Sequence, residues 1–368
     1  MTQRPVMIAA GGTGGHLFPA QALSEVLTAR GIAVELITDD RAIRYGATFP
    51  ARIVHHVTAA TPSGGSLLKR ARAILILLRG TQAARRIIRR VKPRALVGFG
   101  GYPTVPPVLA ATQLKIPTIL HEQNAVMGRA NRFLAARVKA VAKGFDNLTV
   151  DKPAIASKMR LTGNPVRPSV LEAARLPYPD FTGGVLRLLI TGGSQGARVM
   201  SDIVPAAIQL LSPEEQGRLI IVQQARGEDE TRVKAAYDAM GLVAEVEPFF
   251  ADLPLRIAQA HLVIARAGAS TVSELAVIGR PSILVPFPFA LDQDQAANAA
   301  LLDKAGAALV IKQTLFTAEW LADAIRQALL DREGLEARAF AARKTGIADA
   351  AERLADLVES LMSPEETE

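Results

Sequence analysis

Val6-Met7-Ile8-Ala9-Ala10-Gly11-Gly12-Thr13-Gly14-Gly15-His16 is an apolar run that breaks into glycines and ends on a histidine. Behind it Ala20, Leu23, Val26 and Leu27 recur at helical spacing as far as Gly31, so the stretch reads as strand, loop and helix. The same order returns 181 residues later: an apolar run at 186–191 enters Gly192-Gly193-Ser194-Gln195-Gly196, and a helical pattern follows over 198–211. Further apolar runs at 33–38, 95–97, 117–120 and 140–142 alternate with helical stretches in the first half. Runs at 218–223, 261–265, 282–286 and 307–311 do so in the second. Strands that alternate with helices form parallel sheets, so the sequence predicts an α/β protein of two Rossmann-like, doubly wound domains.

The turn-rich stretch Gly163-Asn164-Pro165-Val166-Arg167-Pro168 divides them, giving expected domains of 1–163 and 164–345. Ligands of open parallel sheets lie beyond the carboxyl ends of the strands, where the glycine loops fall, so the site is expected in a cleft between the domains.

The 368 residues carry 43 Lys+Arg, 35 Asp+Glu and no cysteine. That excludes disulfides, thiol catalysis and Cys-based zinc sites, and five histidines cannot build a His-rich metal site. No apolar run approaches the roughly 18 residues of a spanning helix, and Met1 to Ala10 shows no basic n-region, so no secretory signal is expected. The net charge of +8 is uneven. Residues 1–163 hold 24 basic and 7 acidic side chains, a net +17, and the remainder is net −9. From Arg41 to His121 there are 14 basic residues and no acidic one before the histidine, a field that attracts polyanions, anionic membranes or phosphorylated ligands.

Within that field Leu67, Leu68, Ala71, Ile74, Leu75 and Leu78 share one helical face, with Lys69, Arg70, Arg72 and Arg79 off it. Arg85, Arg86, Arg89 and Arg90 follow, almost without aromatics, which argues against stacking on nucleic acid. The stripe suits either an anionic membrane surface or ordinary packing on a sheet.

Glycines at helix N-termini let backbone N–H groups meet phosphate, and Gly98-Phe99-Gly100-Gly101 makes a third such loop. The dinucleotide pattern G-x-G-x-x-G fails at the first loop, where Leu17 stands, although Asp39 and Asp40 sit where a ribose-binding acid would. His16, in the first turn of a helix, is a candidate general base. His121-Glu122-Gln123-Asn124 end another strand, and Glu122 is the alternative base. Thr271 and Glu274 fit either a capping box or a ribose contact.

Taken together and in order, Gly11 to His16, Gly98 to Tyr102, His121 to Asn124, Gly163 to Arg167, Gly192 to Ala197, Arg266 to Glu274, and Gln295 with Asn298-Ala299 resemble the MurG family. These are bacterial N-acetylglucosaminyltransferases of peptidoglycan synthesis. The resemblance implies GT-B architecture, with the donor held by the second domain and the last helix, 349–361, packing on the first. It implies inverting transfer of N-acetylglucosamine from UDP-GlcNAc to the C4 hydroxyl of the muramoyl sugar of lipid I, giving lipid II. It also implies a peripheral location on the cytoplasmic face of the inner membrane, with no metal and no cofactor. Its implied donor contacts are Thr13, Gly14, Gly15, Asn124, Arg167, Ser194, Phe250 near the uracil, Ala269, Ser270, Thr271, Val272, Ser273, Glu274 and Gln295. Gly11, Gly12, Gly100, Gly101 and Tyr102 are expected at the acceptor diphosphate. Asp292-Gln293-Asp294-Gln295 looks like a metal-binding D-x-D, but loops and arginines can neutralise a diphosphate, so it is expected to be a sugar-contacting loop. A UDP-GlcNAc epimerase, another lipid-acceptor glycosyltransferase of this architecture and a non-catalytic membrane adaptor are the alternatives.

Overall fold

The computed structural model describes residues 3–12, 14–39, 49–59, 67–193, 196–290 and 293–364. Thr13, Asp40, the candidate loop 61–66, Ser194, Gln195, Asp292 and the side chains of 67–71 lie outside the described residues. The chain forms two compact units, one of residues 1–167 with 348–368 and one of 168–347. The division falls after Arg167 rather than at Gly163.

The first unit contains a seven-stranded sheet in the order β3-β2-β1-β4-β5-β6-β7, and every pairing is parallel. Its strands are β1 (Val6–Ala9), β2 (Val34–Thr38), β3 (Ile53–His56), β4 (Ala95–Gly98), β5 (Thr118–Glu122), β6 (Ala140–Lys143) and β7 (Met159–Leu161). Alternate residues serve opposite faces. Val6 and Ile8 pack beneath helix α1 (Gly14–Ala29) and the last helix, Ala350–Leu361. Met7 and Ala9 pack with Ala84 and Ile88 of helix α2 (Leu67–Val91). With both faces covered, the central strands read as unbroken apolar runs.

The second unit contains a six-stranded parallel sheet, β10-β9-β8-β11-β12-β13. Its strands are β8 (Leu186–Thr191), β9 (Leu219–Gln224), β10 (Ala244–Glu247), β11 (Leu262–Ala265), β12 (Ser282–Leu284) and β13 (Ala308–Val310). The strand order turns at β1/β4 in the first sheet and at β8/β11 in the second, and such switch points open ligand crevices. The glycine stretches after β1, β4 and β8, and Arg266-Ala267-Gly268 after β11, all sit at these points.

One reading of α2 is corrected. Its inward face is Ala73, Gly80, Ala84 and Ile88, and a Cβ at Gly80 would lie 2.3 Å from the Thr58 carbonyl. Small residues bring this helix close to the chain that follows β3 and to Pro106 of the helix Val105–Gln113. Ile74, Leu75 and Leu78 therefore point outward, 52%, 48% and 57% exposed, rather than into an ordinary core.

Candidate active site

In the first unit, α1 delivers His16 from its first turn. Nδ1 of His16 lies 2.8 Å from Oε1 of Gln123, whose Nε2 donates to the Phe99 carbonyl at 2.9 Å. A Cβ on Gly101, at φ 73°, would stand 3.1 Å from His16 Nε2, so the glycine after β4 makes room for the imidazole. Burial pushes the pKa of His16 below the ordinary imidazole value, while its bonds to Gln123 and the Phe99 carbonyl pull it back. Burial likewise lowers His121 to about 4, against the pull of the Gly163 carbonyl, 3.0 Å from Nε2.

The structure is less kind to the other base candidate. Glu122 is only 2% exposed, and its carboxylate accepts from Asn124 N at 3.0 Å, Gly128 N at 2.9 Å and Asn131 Nδ2 at 2.9 Å. Burial raises its pKa and these bonds oppose the rise. Glu122 anchors the turn after β5 and is not exposed to an incoming hydroxyl. Asn124 sits half-buried on that turn.

At the expected acceptor-diphosphate residues Gly12 and Tyr102 the structure shows bonds to Asp39. Gly12 N donates to Asp39 Oδ1 at 3.2 Å, and the Tyr102 hydroxyl donates to Oδ2 at 2.8 Å. Gly11 passes so near that a Cβ would lie 2.6 Å from the same carboxylate. Asp39 is thus neither a ribose ligand nor idle; it already answers the loop's N–H. Gly100 turns at φ 81° beside Asn131, again for packing. Gly14 and Gly15 remain in the first turn of α1, where N–H groups have no partner within the helix. Arg167 lies over the Phe18 ring at 4.5 Å, one turn from these glycines.

The second unit has its own cavity of about 420 Å³, bounded by Gly192, Gly193 and Gly196, by Arg226 and Arg266, and by Ser270, Thr271 and Gln295. A Cβ on Gly192 would sit 2.2 Å from Ala197 N, and one on Gly196 would sit 2.8 Å from Arg226 Cγ. Gly192 and Gly196 have no room for a side chain, and Gly193 turns at φ 80°. Arg266 is 8% exposed and donates to the Val285 carbonyl at 3.0 Å and to Gln313 Oε1 at 2.6 Å. Burial, then repulsion from Arg226, lowers its pKa to about 10. Arg266 has only neutral partners and Arg226 shares a single exposed carboxylate, Glu228 at 3.6 Å, so the pair leaves positive potential for an anion. Arg226 and Gln313 went unnoticed in the sequence. The available signal was Gln223-Gln224-Ala225-Arg226, a polar run ending a strand of the same sheet.

Helix Ala269–Ile278 begins after Gly268, which serves as its N-cap without a side-chain bond. The capping-box reading of Thr271 is therefore overturned, and Ser270 and Thr271 lie in the first turn at the cavity wall. Val272 is buried with its N–H on the Gly268 carbonyl at 3.0 Å, so it is committed to the helix. Ser273 is half-buried and Glu274 buried on the same helix. Phe250 is buried under the Arg256 guanidinium, 4.3 Å from its ring, so it can offer a base its backbone only. Its neighbour Phe249 is 67% exposed. The expected D-x-D loop is also corrected. Asp294 and Gln295 open helix Asp294–Lys304, and Gln295 Oε1 accepts from Phe287 N at 2.9 Å and Ala267 N at 3.2 Å. Among the described residues no cluster of carboxylates and imidazoles could hold a metal ion.

Two parallel doubly wound units, each with a glycine loop at its switch point and one with an arginine-lined cavity, define a two-domain Rossmann-like protein with a place for an anion. Residues 6–143 match the glycosyltransferase family 28 N-terminal domain and 187–354 match its C-terminal domain. A UDP-N-acetylglucosamine–N-acetylmuramyl-(pentapeptide) pyrophosphoryl-undecaprenol N-acetylglucosamine transferase of Sinorhizobium fredii is 56% identical, over 97% of this chain and 95% of the relative. The like-named protein of Methylobacterium radiotolerans is 57% identical over 96% of each. The crystal structure of Acinetobacter baumannii MurG superposes with a TM-score of 0.79 at 30% identity, covering 97% of this chain and 99% of that one. The chain belongs to glycosyltransferase family 28 and, within it, to the MurG family.

Proposed function

We propose that the protein moves N-acetylglucosamine from UDP-GlcNAc to the C4 hydroxyl of the muramoyl sugar of lipid I, producing lipid II with inversion. The observation that carries this reading is the neutral imidazole of His16, held by Gln123, in a chain whose relatives at 56% identity bear the name of that transferase. The reaction is a single displacement. The C4 oxygen forms a bond to the anomeric carbon as the bond to the UDP oxygen breaks, and the hydroxyl proton passes to His16. Inversion follows from one attack opposite the leaving group. Charge developing on UDP is met by Arg226 and Arg266, by N–H groups of the glycine loop with Ser194, and by the first turn of helix Ala269–Ile278. Gln295, pinned through its carbonyl, keeps its amide N–H groups for sugar hydroxyls. Thr13, Gly14, Gly15, Asn124 and Arg167 are the proposed donor contacts of the first unit.

The direct test is transfer of labelled sugar from UDP-GlcNAc to a short-chain lipid I analogue. His16→Ala is expected to lose at least a hundredfold in kcat, the usual worth of a general base. A rate within a few-fold of the parent removes His16 from the role.

A peripheral place on the cytoplasmic leaflet is part of the same reading. It is supported by the outward Ile74, Leu75 and Leu78 beside Arg72 and Arg79 on a helix too polar to span a bilayer. Binding to liposomes is expected to rise with anionic lipid, fall with salt and weaken when Arg72, Arg79, Arg85 and Arg86 are neutralised together. Binding unchanged in that variant would refute it.

A further inference from the structure

We propose that Gln123 is a positioning residue that fixes which nitrogen of His16 carries the proton, leaving the Nε2 lone pair as the base. The proposal rests on the reading of His16 as the proton acceptor, and it assigns a role to a residue outside the proposed ligand contacts.

The direction of the bonds is forced. Gln123 is buried, and its side-chain amide has one acceptor and one donor end. The Phe99 carbonyl can only accept, so the NH2 end faces it at 2.9 Å and Oε1 faces His16. Oε1 can only accept in turn, so Nδ1 of His16, 2.8 Å away, must carry the hydrogen. Rotating the amide would set its oxygen against the Phe99 carbonyl, losing that bond in a buried place. The Gln123 main chain is held as well, because Asn164 Nδ2 donates to its carbonyl at 2.9 Å. Phe99 is fixed from the other side by its N–H on the Ala9 carbonyl at 2.9 Å. A chain from β1 through Phe99 and Gln123 thus ends in one imidazole tautomer. Nε2 lies on the side of Gly101, whose missing Cβ leaves room for the ring, and the Phe99 carbonyl also accepts from the imidazole. This is how a buried acceptor orients a catalytic histidine elsewhere, except that here the acceptor is neutral and adds no charge.

The titratable groups around the ring are His121 and Glu122 of β5, Asp39 and Tyr102 at the first glycine loop, and Arg167 over Phe18. None changes in the variants below, so the response reads position 123.

The test uses the full chain labelled with 15N-histidine, in which five imidazoles are to be distinguished and His16→Ala identifies the relevant pair of signals. The parent is expected to show a protonated Nδ1 and an unprotonated Nε2 at neutral pH, and Gln123→Met is expected to show a mixture of tautomers. Gln123→Glu places a negative charge on Nδ1–H and is expected to move the acid limb of kcat/KM upward by about one pH unit. Loss of rate in these variants with the limb and the tautomer unmoved would mean that Gln123 only supports the fold, and overturns the proposal. So would a parent enzyme with Nε2 protonated. Failure of the underlying reading looks different: His16→Ala would then keep its activity, whatever the tautomer.

Discussion

Replacing Gly101 with alanine would place a methyl group 3.1 Å from Nε2 and 3.2 Å from Cδ2 of His16, and 3.4 Å from Cδ of Pro103. Two costs follow and they can be separated. The backbone at φ 73°, ψ 168° lies in a region kept almost wholly to glycine and costs any residue with a Cβ about 1–3 kcal/mol. The methyl must also push the imidazole by a few tenths of an ångström, or stand beside the lone pair that an incoming hydroxyl needs. Gly100→Ala is the matched control, since φ is 81° and its Cβ would meet Asn131 Nδ2 at 3.2 Å, a contact of the same tightness away from His16. Both variants are expected to lose similar stability in urea titrations. In transfer to a soluble lipid I analogue, Gly101→Ala is expected to lose ten- to a hundredfold more kcat/KM than Gly100→Ala, since general-base catalysis depends on placement at that scale. Equal losses in the two variants, or full activity in Gly101→Ala, would refute the view that this glycine exists to admit His16.

Two further outcomes are expected. Arg226→Met removes one of the paired guanidinium groups and should weaken UDP binding, read by calorimetry, about tenfold, as for one charged hydrogen bond; unchanged affinity would take Arg226 out of the site. His121 takes up its proton near pH 6.5 when unfolded but only at about 4 when folded, so the unfolded state binds more protons between those values. Its contribution to stability is intact above pH 6.5 and declines as the pH falls toward 4, by about 3 kcal/mol in total. The urea midpoint should therefore drop more steeply between pH 7 and pH 5 in the parent than in His121→Gln, and parallel slopes would contradict the burial argument.

The central strands were legible because sheets covered on both faces need apolar residues at consecutive positions. The strands missed were β3, β7 and β10, all at sheet edges, where Ile53, Val54 and Leu161 are exposed and Glu245 and Glu247 interrupt the pattern. A sequence window cannot tell such an edge from a loop. The places of the glycine loops were equally plain, but not their uses. Whether a glycine admits a phosphate, a carboxylate or an imidazole depends on which distant side chain arrives, and Asp39, Asn131 and His16 arrive from elsewhere in the chain. The outward face of α2 was hidden for a related reason. The sequence held an apolar stripe and a smaller alanine–glycine face, and only close packing of Gly80 on the Thr58 carbonyl and Pro106 decides which of them turns inward.

The two glycine loops also show why bulk charge misleads about the site. The first unit lies in the half of the sequence with net charge +17, yet its loop at Gly12 is occupied by the carboxylate of Asp39. The second lies in the half with net charge −9, yet its loop is flanked by Arg226 and Arg266, whose nearest bonds go to carbonyls and an amide. Charges separated by more than a Debye length of about 8 Å are largely screened, so a bound diphosphate responds to the groups within reach and not to the sum. An internal carboxylate accepts the Gly12 N–H of the first loop. The first loop is consequently a device for setting α1, and with it His16, in place. The second presents its loop and paired arginines to an anion without such an internal carboxylate. On the reading proposed above, the surplus positive charge of the first unit acts at contact with a densely charged surface, where many lipid headgroups act together.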